Sequence, residues 1–356
     1  MQVLSLDERL GQRSVRLRNI LLATDGTPAA HLALGAAADL ARRSGASLHL
    51  VTAYEFAPSS VLAYAPYIGP NSAWDSLEAD ARRLLDDERD RVVALGATVG
   101  SLHVAREPAF SAVMDVAEMV EADLVVLGSR ELNGLRRLVV GSVSEHVVHS
   151  VHRPVLIVRG GEGTWPPAHV IVGFDNSSGA RCAARFAATI THLYKDLPIE
   201  LVEADAELSV AADRFLGPDD REHIDSESLF EYARTLDTIA GRTVETAVVV
   251  GDPADALNAT GSRRPGTKLI VVGSRDLGAV RRFLLGSVST KLLHSGHAAL
   301  LVVPEHATQG RTNESDDKPT SSIWQDGGSA LRHLPALGAR RAVPDKGGVE
   351  LRISST

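Results

Sequence analysis

Apolar runs and segments of helical periodicity alternate along the first part of the chain. Continuous or alternating apolar runs predict five strands, over residues 20–23, 47–53, 98–104, 123–127 and 155–158. Apolar positions at helical spacing predict helices between them, over residues 28–44, 73–95, 108–120 and 142–149. Apolar strands that alternate with helices are typical of a parallel sheet covered on both faces.

The same pattern returns in the second half of the chain. Residues 271–295 match residues 126–150 without a gap, and about half of the positions are identical. The two repeats also open alike, because each begins with a short apolar run that ends at an aspartate, Asp25 or Asp175. The second repeat predicts strands over residues 170–173, 200–204, 243–249, 269–272 and 299–303.

The repeat predicts two tandem, doubly wound domains of the α/β class, Rossmann-like, each with a five-stranded parallel sheet. The first would span residues 1–160 and the second residues 166–304, with a short Gly/Pro linker between them. Residues 305–356 are rich in Gly, Ser, Asp, Arg and Pro and lack sustained periodicity. We therefore expect a flexible, disordered C-terminal tail.

Composition and charge argue against nucleic-acid-binding, membrane and disulfide-bonded classes of protein. The 356 residues carry a net charge of −8, so the overall charge does not favour a nucleic-acid partner. No apolar run reaches membrane-spanning length and the first residues do not resemble a signal peptide, so we expect a cytoplasmic protein without membrane contact. The single cysteine, Cys182, excludes an internal disulfide, and its alanine-rich surroundings predict a buried small apolar side chain.

Candidate binding residues fall at the predicted ends of strands. In an open parallel sheet, ligands bind outside the carboxyl ends of the strands, where the strand order reverses. The sequence Gly-Ser-Val-Ser follows the fourth strand of each repeat, at 141–144 and 286–289, and opens a helix whose free N–H groups could hold phosphate oxygens. A structural alternative stays open, because Ser142 and Glu145 have the spacing of a capping box. The second repeat has Thr290 in place of that glutamate.

These motifs resemble those of the universal stress protein family. Members that bind ATP have a glycine, two residues, a glycine, nine residues and then Gly-Ser or Gly-Thr, with an aspartate after the first strand. The resemblance covers residues 19–304 and implies that the nucleotide lies across the ends of the first and fourth strands. It implies these binding residues in the first repeat: Asp25, Ala53, Leu127, Gly128, Gly141, Ser142, Val143 and Ser144. In the second repeat it implies Asp175, Ala204, Val272, Gly273, Gly286, Ser287, Val288 and Ser289.

The resemblance also implies how the repeats associate. The last strands, near Leu156 and Leu301, would pair across the two repeats to form an intramolecular pseudo-dimer, or would pair with a second chain to form a homodimer. Such pairing would cover sheet edges that are otherwise open. Within this arrangement Ala53 and Ala204, at the ends of the second strands, would approach the adenine.

Both repeats depart from the family motif at its middle glycine, which is Glu131 in the first and Asp276 in the second. A carboxylate about 5 Å from a phosphate costs roughly 3 kcal/mol at an effective dielectric near 20, unless Mg²⁺ bridges the two. Three functions follow from the sequence. The first is a sensor or regulator that binds ATP, with or without Mg²⁺. The second is an interaction scaffold that does not bind nucleotide.

The third function is a slow ATPase or self-phosphorylating protein that uses Ser142 or Ser287. No base stands out beside either serine, and the sequence contains no metal-ligand cluster, so we expect a binding protein rather than an enzyme.

Overall fold

The computed structural model describes residues 15–55, 70–129, 141–160, 165–205, 227–274, 286–295 and 298–307. The strands of the first repeat are β1 (Asn19–Ala23), β2 (Ser47–Ala53), β3 (Thr98–Ala105), β4 (Leu124–Ser129) and β5 (Val155–Arg159). Those of the second are β6 (His169–Gly173), β7 (Ile199–Asp205), β8 (Glu245–Val250), β9 (Lys268–Ser274) and β10 (Ala299–Pro304). The helices are α1 (Pro28–Ser44), α2 (Pro70–Ala94), α3 (Ala109–Met119), α4 (Ser142–Ser150), α5 (Ser178–His192), α6 (Glu227–Ala240), α7 (Pro253–Arg263) and α8 (Ser287–Ser295).

Local signals fix the ends of the elements. Helix α1 has the predicted bounds because Thr27 accepts a hydrogen bond from the amide of Ala30, Pro28 occupies the first turn, and Gly45 ends the helix in the left-handed region. Strand β8 begins two residues later than predicted. The amide of Val244 donates to Asp237 Oδ1 at 2.8 Å, so it is used outside the strand ladder.

The strands form one ten-stranded sheet in the order β3-β2-β1-β4-β5-β10-β9-β6-β7-β8. Each repeat contributes five parallel strands, as predicted, and β5 and β10 join the two halves as an antiparallel pair with Leu301 opposite Leu156. The pairing expected from the resemblance is therefore confirmed within one chain. Because this joint is antiparallel, the strands of one repeat run in the direction opposite to those of the other. The carboxyl ends of the strands in the two repeats therefore lie on opposite sides of the sheet.

Helices cover both faces of the sheet. Apolar side chains of α1, α2, α5 and α6 pack on one face, and those of α3, α4, α7 and α8 pack on the other. The alanine-rich α5 is almost fully buried, and Cys182 in it is 4% exposed, which confirms the prediction of a buried side chain. Its thiol lies 2.7 Å from the carbonyl oxygen of Glu305. Among the described residues, no helix has both the length and the apolar character needed to cross a membrane.

A polar cluster joins the repeats between the second half of α1 and two aromatic residues that flank the second repeat's elements, Trp165 before β6 and Tyr194 after α5. Asp39 Oδ2 accepts hydrogen bonds from the hydroxyl of Tyr194 at 2.7 Å and from the indole of Trp165 at 3.1 Å. The guanidinium of Arg43 lies 4.2 Å from the centre of the Tyr194 ring. Burial alone would raise the pKa of Asp39, but the hydrogen bond from Tyr194 and the neighbouring arginines lower it. The cluster therefore favours the ionised carboxylate.

A histidine pair marks the outer edge of the first half-sheet, where the pairing of β2 with β3 shifts register. The ring of His49 stands over Gly100, because a Cβ at that glycine would lie 2.4 Å from His49 Cε1. The hydroxyl of Ser101 lies 2.7 Å from His49 Nδ1 and 2.6 Å from His103 Nε2. Desolvation lowers the pKa of both histidines, and the charge of His49 lowers that of His103 further.

Candidate functional site

Each half-sheet has one cavity at the carboxyl ends of its strands, where the strand order reverses. All sixteen residues that the sequence suggested line these two cavities, eight in each. The first cavity has a volume of about 190 Å³ and the second about 240 Å³. A cavity of this size holds only part of a nucleotide, so the remainder of such a ligand would lie at the open rim.

Asp25 and Asp175 build the turns that open the first helix of each repeat. Asp25 Oδ1 accepts hydrogen bonds from the amide of Thr27 at 3.1 Å and from its hydroxyl at 2.6 Å. Asp175 makes the same pair of contacts to Ser177, at 3.1 and 2.5 Å. Both aspartates are exposed at the cavities. Each therefore orients the residue that caps a helix, in addition to lining the cavity.

Gly128 and Gly273 are explained by packing between strand and helix. A Cβ at Gly128 would lie 2.4 Å from the carbonyl oxygen of Ala29, and one at Gly273 would lie 2.4 Å from that of Gly179. The family resemblance implies that these glycines line a nucleotide site. The structure gives a further reason for glycine, since a side chain at either position would collide with the backbone of α1 or α5.

Gly141 and Gly286 are different, because no contact with a described residue requires glycine at these positions. Gly141 has an ordinary φ of −61°, and it is the N-cap of α4 without any side-chain hydrogen bond to the helix. Among the described residues, no atom lies within 4 Å of a Cβ built at Gly141 or at Gly286. No described residue therefore fills the space in front of the first turn of α4 or of α8.

The serines of the motif divide into two roles. Ser142 and Ser287 are exposed at the first turn of α4 and α8. Ser144 and Ser289 are buried, and their hydroxyls lie 3.4 and 3.5 Å from the carbonyl oxygens of Gly128 and Gly273. The second serine therefore ties the helix to the strand, whereas the first faces the cavity.

The capping-box hypothesis for Ser142 is wrong. Gly141 occupies the N-cap, so Ser142 is the first helical residue and does not cap the helix. Glu145 lies instead 3.7 Å from His294 Nε2 of the second repeat. Within the described ranges, the N–H groups at the start of α4 therefore have no side-chain cap.

Sequence reasoning missed the side of each cavity formed after the third strand. Ala109, Ala112 and Val113 of α3 line the first cavity, and Pro253 and Leu257 of α7 line the second. The same argument from strand ends, applied to the third strand, would have found them. Phe174, which directly follows β6, also lines the second cavity and stacks on Tyr232 with ring centres 5.0 Å apart.

The described residues offer little for catalysis. His146 Nδ1 lies 2.6 Å from the carbonyl oxygen of Ser142, so this ring nitrogen contacts the backbone and not the serine hydroxyl. Within the described ranges, no group of three or more His, Cys, Asp or Glu side chains could hold a metal ion. Glu131 and Asp276 lie outside the described residues.

The chain is similar to proteins of one family. The family model described as the universal stress protein family matches residues 16–159 and 168–304. A universal stress protein of Mycobacterium tuberculosis (strain ATCC 25618 / H37Rv) is 29% identical over 203 residues, which cover 51% of this chain and 62% of that protein. The match thus spans less than two thirds of that relative. A universal stress protein of Thermus aquaticus is 35% identical over 146 residues, which cover 40% of this chain and 98% of that protein.

Solved structures share the architecture. The crystal structure of a universal stress protein from Archaeoglobus fulgidus DSM 4304 has a TM-score of 0.63 and 18% sequence identity, and the match covers 81% of this chain and 98% of that one. This likeness supports the fold of the paired repeats. Because the family model matches both repeats, which together make up most of the chain, the chain belongs to the universal stress protein family.

Proposed function

We propose that this chain is a cytoplasmic stress-response protein that binds ATP, or another adenine nucleotide, in each of its two cavities. It would act as a sensor or regulator and not as a catalyst. The observation that carries the proposal is the start of α4 at Gly141, which no described side chain caps and which lies beside a cavity where the strand order reverses. The same Gly-Ser-Val-Ser sequence lines the second cavity.

The phosphates would lie at the starts of α4 and α8. The first N–H groups of a helix have no partner within the helix, and the helix dipole favours negative charge at that end. No described side chain caps these groups in α4, and the open space beside Gly141 leaves room for an anion. The exposed hydroxyl of Ser142 could add a further hydrogen bond.

The nucleoside would lie toward the ends of the first two strands. The loop after β1 and the end of β2 line this part of the first cavity, with Ala53 at its wall, and Ala204 takes the same place in the second. Small residues leave room here for a planar base. The carboxylates of Asp25 and Asp175 also lie on this side, where they can accept hydrogen bonds from sugar hydroxyls without facing the phosphates.

The test is native mass spectrometry of the freshly purified protein, followed by thermal unfolding with and without Mg-ATP. A ligand at a hundred times its dissociation constant stabilises one site by about 2.7 kcal/mol, which raises the midpoint by several degrees. A co-purifying adenine nucleotide or such a shift is the expected result. The same mass spectrum measures whether two copies associate.

A matched variant distinguishes nucleotide binding in the cavities from nonspecific binding elsewhere on the protein. In a Gly141→Val/Gly286→Val variant, both side chains project into space that is open among the described residues, so the fold should survive while the phosphate path is filled. We expect this variant to lose the shift with Mg-ATP. An equal shift in the variant, or none in the wild type at millimolar Mg-ATP, would refute the proposal.

A second candidate function, an interaction scaffold of the same fold that does not need nucleotide, is favoured by one observation. Glu131 and Asp276 place a carboxylate in both motifs where ATP-binding relatives have glycine. Restoring glycine at both positions separates the candidates. A scaffold whose sites were closed by these residues would gain ATP binding, whereas a working site that uses a bridging Mg²⁺ would lose its dependence on the metal.

A further inference from the structure

Helix α8, which begins at the second cavity, is held at its other end by the first repeat. Arg159, the last residue of β5, is 4% exposed. Its Nη2 donates to the carbonyl oxygens of Leu292 and Leu293 at 3.1 and 2.7 Å. These carbonyls belong to the last turns of α8, where backbone acceptors lack partners within the helix.

The charge of Arg159 suits this position. The C-terminal end of a helix carries the negative end of its dipole, which favours a positive charge at that end. Burial lowers the pKa of Arg159 to about 10, which leaves the side chain protonated at neutral pH. The first repeat thus supplies a buried cation that fixes the C-terminal end of a helix of the second repeat.

Two further contacts hold α8 in place. Lys291 Nζ lies 3.0 Å from Asp252 Oδ1 and 2.7 Å from Asp255 Oδ2, which ties α8 to the start of α7. His294 Nε2 lies 3.7 Å from Glu145 Oε1 of the first repeat. These pairs are 40–66% exposed and contribute little alone, whereas the contact of Arg159 with α8 is buried.

Helix α4, which begins at the first cavity, lacks the matching arginine. Arg159 pairs with Ser129 along β4, and the residue that pairs with Ser274 along β9 is Pro304. Proline has no side-chain donor, so the second repeat cannot make the equivalent hydrogen bond to α4 from this position. The residue matching Lys291 is His146, whose Nδ1 lies 2.6 Å from the carbonyl oxygen of Ser142 in its own helix.

We propose that Arg159 is a positioning residue for the second cavity, and that this cavity binds nucleotide more tightly than the first. The inference rests on the proposed function. Fixing α8 before binding reduces the ordering cost when phosphate contacts Gly286, Ser287 and Val288 at its start. The two sites are therefore unequal, and the affinity of one repeat depends on a side chain of the other.

The first measurement does not require nucleotide. Hydrogen exchange of the backbone amides of residues 291–295 in α8 is compared between the wild type and Arg159→Met, which keeps the apolar bulk and removes the donors. We expect exchange in α8 to be about tenfold faster and exchange over residues 146–150 of α4 to be unchanged. Arg159→Lys should restore much of the protection, and Arg159→Gln serves as the neutral variant if the methionine variant does not fold.

The second measurement assigns affinity to each cavity by calorimetry with Mg-ATP. Ser142→Glu and Ser287→Glu each place a carboxylate at one exposed helix start, which repels phosphate and leaves the other cavity free. The Ser142→Glu variant, in which the second cavity can still bind nucleotide, should show a smaller Kd than the Ser287→Glu variant. Adding Arg159→Met should raise that Kd about tenfold and leave the Kd of Ser287→Glu unchanged.

The outcomes separate the two proposals. Unchanged exchange in α8, a tighter first cavity, or equal loss of affinity in both backgrounds would overturn the role given to Arg159. If no variant binds nucleotide while α8 exchanges faster in Arg159→Met, the proposed function fails and the claim of unequal affinity fails with it. Only the conclusion that Arg159 stabilises the C-terminal end of α8 would then remain.

Discussion

Replacing Gly128 by alanine should destabilise the fold whether or not a ligand binds. The new Cβ would lie 2.4 Å from the carbonyl oxygen and 2.5 Å from the carbonyl carbon of Ala29, and 2.8 Å from the amide nitrogen of Ala30. Carbon atoms do not approach backbone this closely, so α1 must move away from β4. Helix α1 is packed along its length on buried strands and cannot shift without opening the core.

The cost of such overpacking is typically about 1–3 kcal/mol. In a unit of this size each kcal/mol lowers the melting midpoint by roughly 2–4 °C, so we expect Gly128→Ala to melt about 2–12 °C below the wild type. The assay is thermal and urea unfolding of the protein without ligand. An unchanged midpoint would refute the close approach of helix and strand.

Gly141→Ala is the matched control, from the same motif. No described atom lies within 4 Å of its Cβ and the φ of −61° suits any residue, so its stability should fall by no more than about 1 kcal/mol, the usual loss when alanine replaces an N-cap residue. A loss of ATP affinity in this variant, without a loss of stability, would separate a ligand-facing glycine from a fold-determining one. A large drop in its melting midpoint would contradict this distinction.

Three further predictions concern the joint between the repeats, pH and the altered motif. Asp39→Ala leaves the Tyr194 hydroxyl without its carboxylate partner, and chemical denaturation should show a loss of about 1–3 kcal/mol, whereas Asp39→Asn should lose less because it still accepts a hydrogen bond. The folded-state pKa values of His49 and His103 are lowered, so the unfolded chain binds protons more readily. The free energy of unfolding should therefore fall as the pH drops below about 6.5. A His49→Gln/His103→Gln variant, melted at pH 5 and at pH 7.5, should show a weaker dependence of stability on pH. An equal dependence in the variant would contradict the assignment. Glu131→Gly/Asp276→Gly should tighten ATP binding in the absence of Mg²⁺ by up to about two decades in calorimetry, and an unchanged affinity would show that these carboxylates do not face the phosphates.

The sequence was sufficient for features that depend on nearby residues. Helix α1 was predicted with its observed bounds because its cap, its proline and its final glycine are all local signals. The ends of parallel strands must meet at one edge of a sheet, so the order of elements also placed Asp25, Gly141 and Ser142 around one cavity. The pairing of Leu156 with Leu301 came from the family resemblance and not from the pattern itself.

Only the tertiary structure decided what individual residues contact. The sequence could not show that Gly128 lies against Ala29, because helix packing distances depend on which backbones meet in the folded chain. Nor could it show that Arg159 reaches Leu292, which is 133 positions away. The two repeats look equivalent as sequences, yet the antiparallel joint brings β5 of one repeat against α8 of the other, and Arg159 has only a proline as its counterpart. Periodicity and capping are set within a few residues, whereas contacts across the joint are set by how the two half-sheets meet.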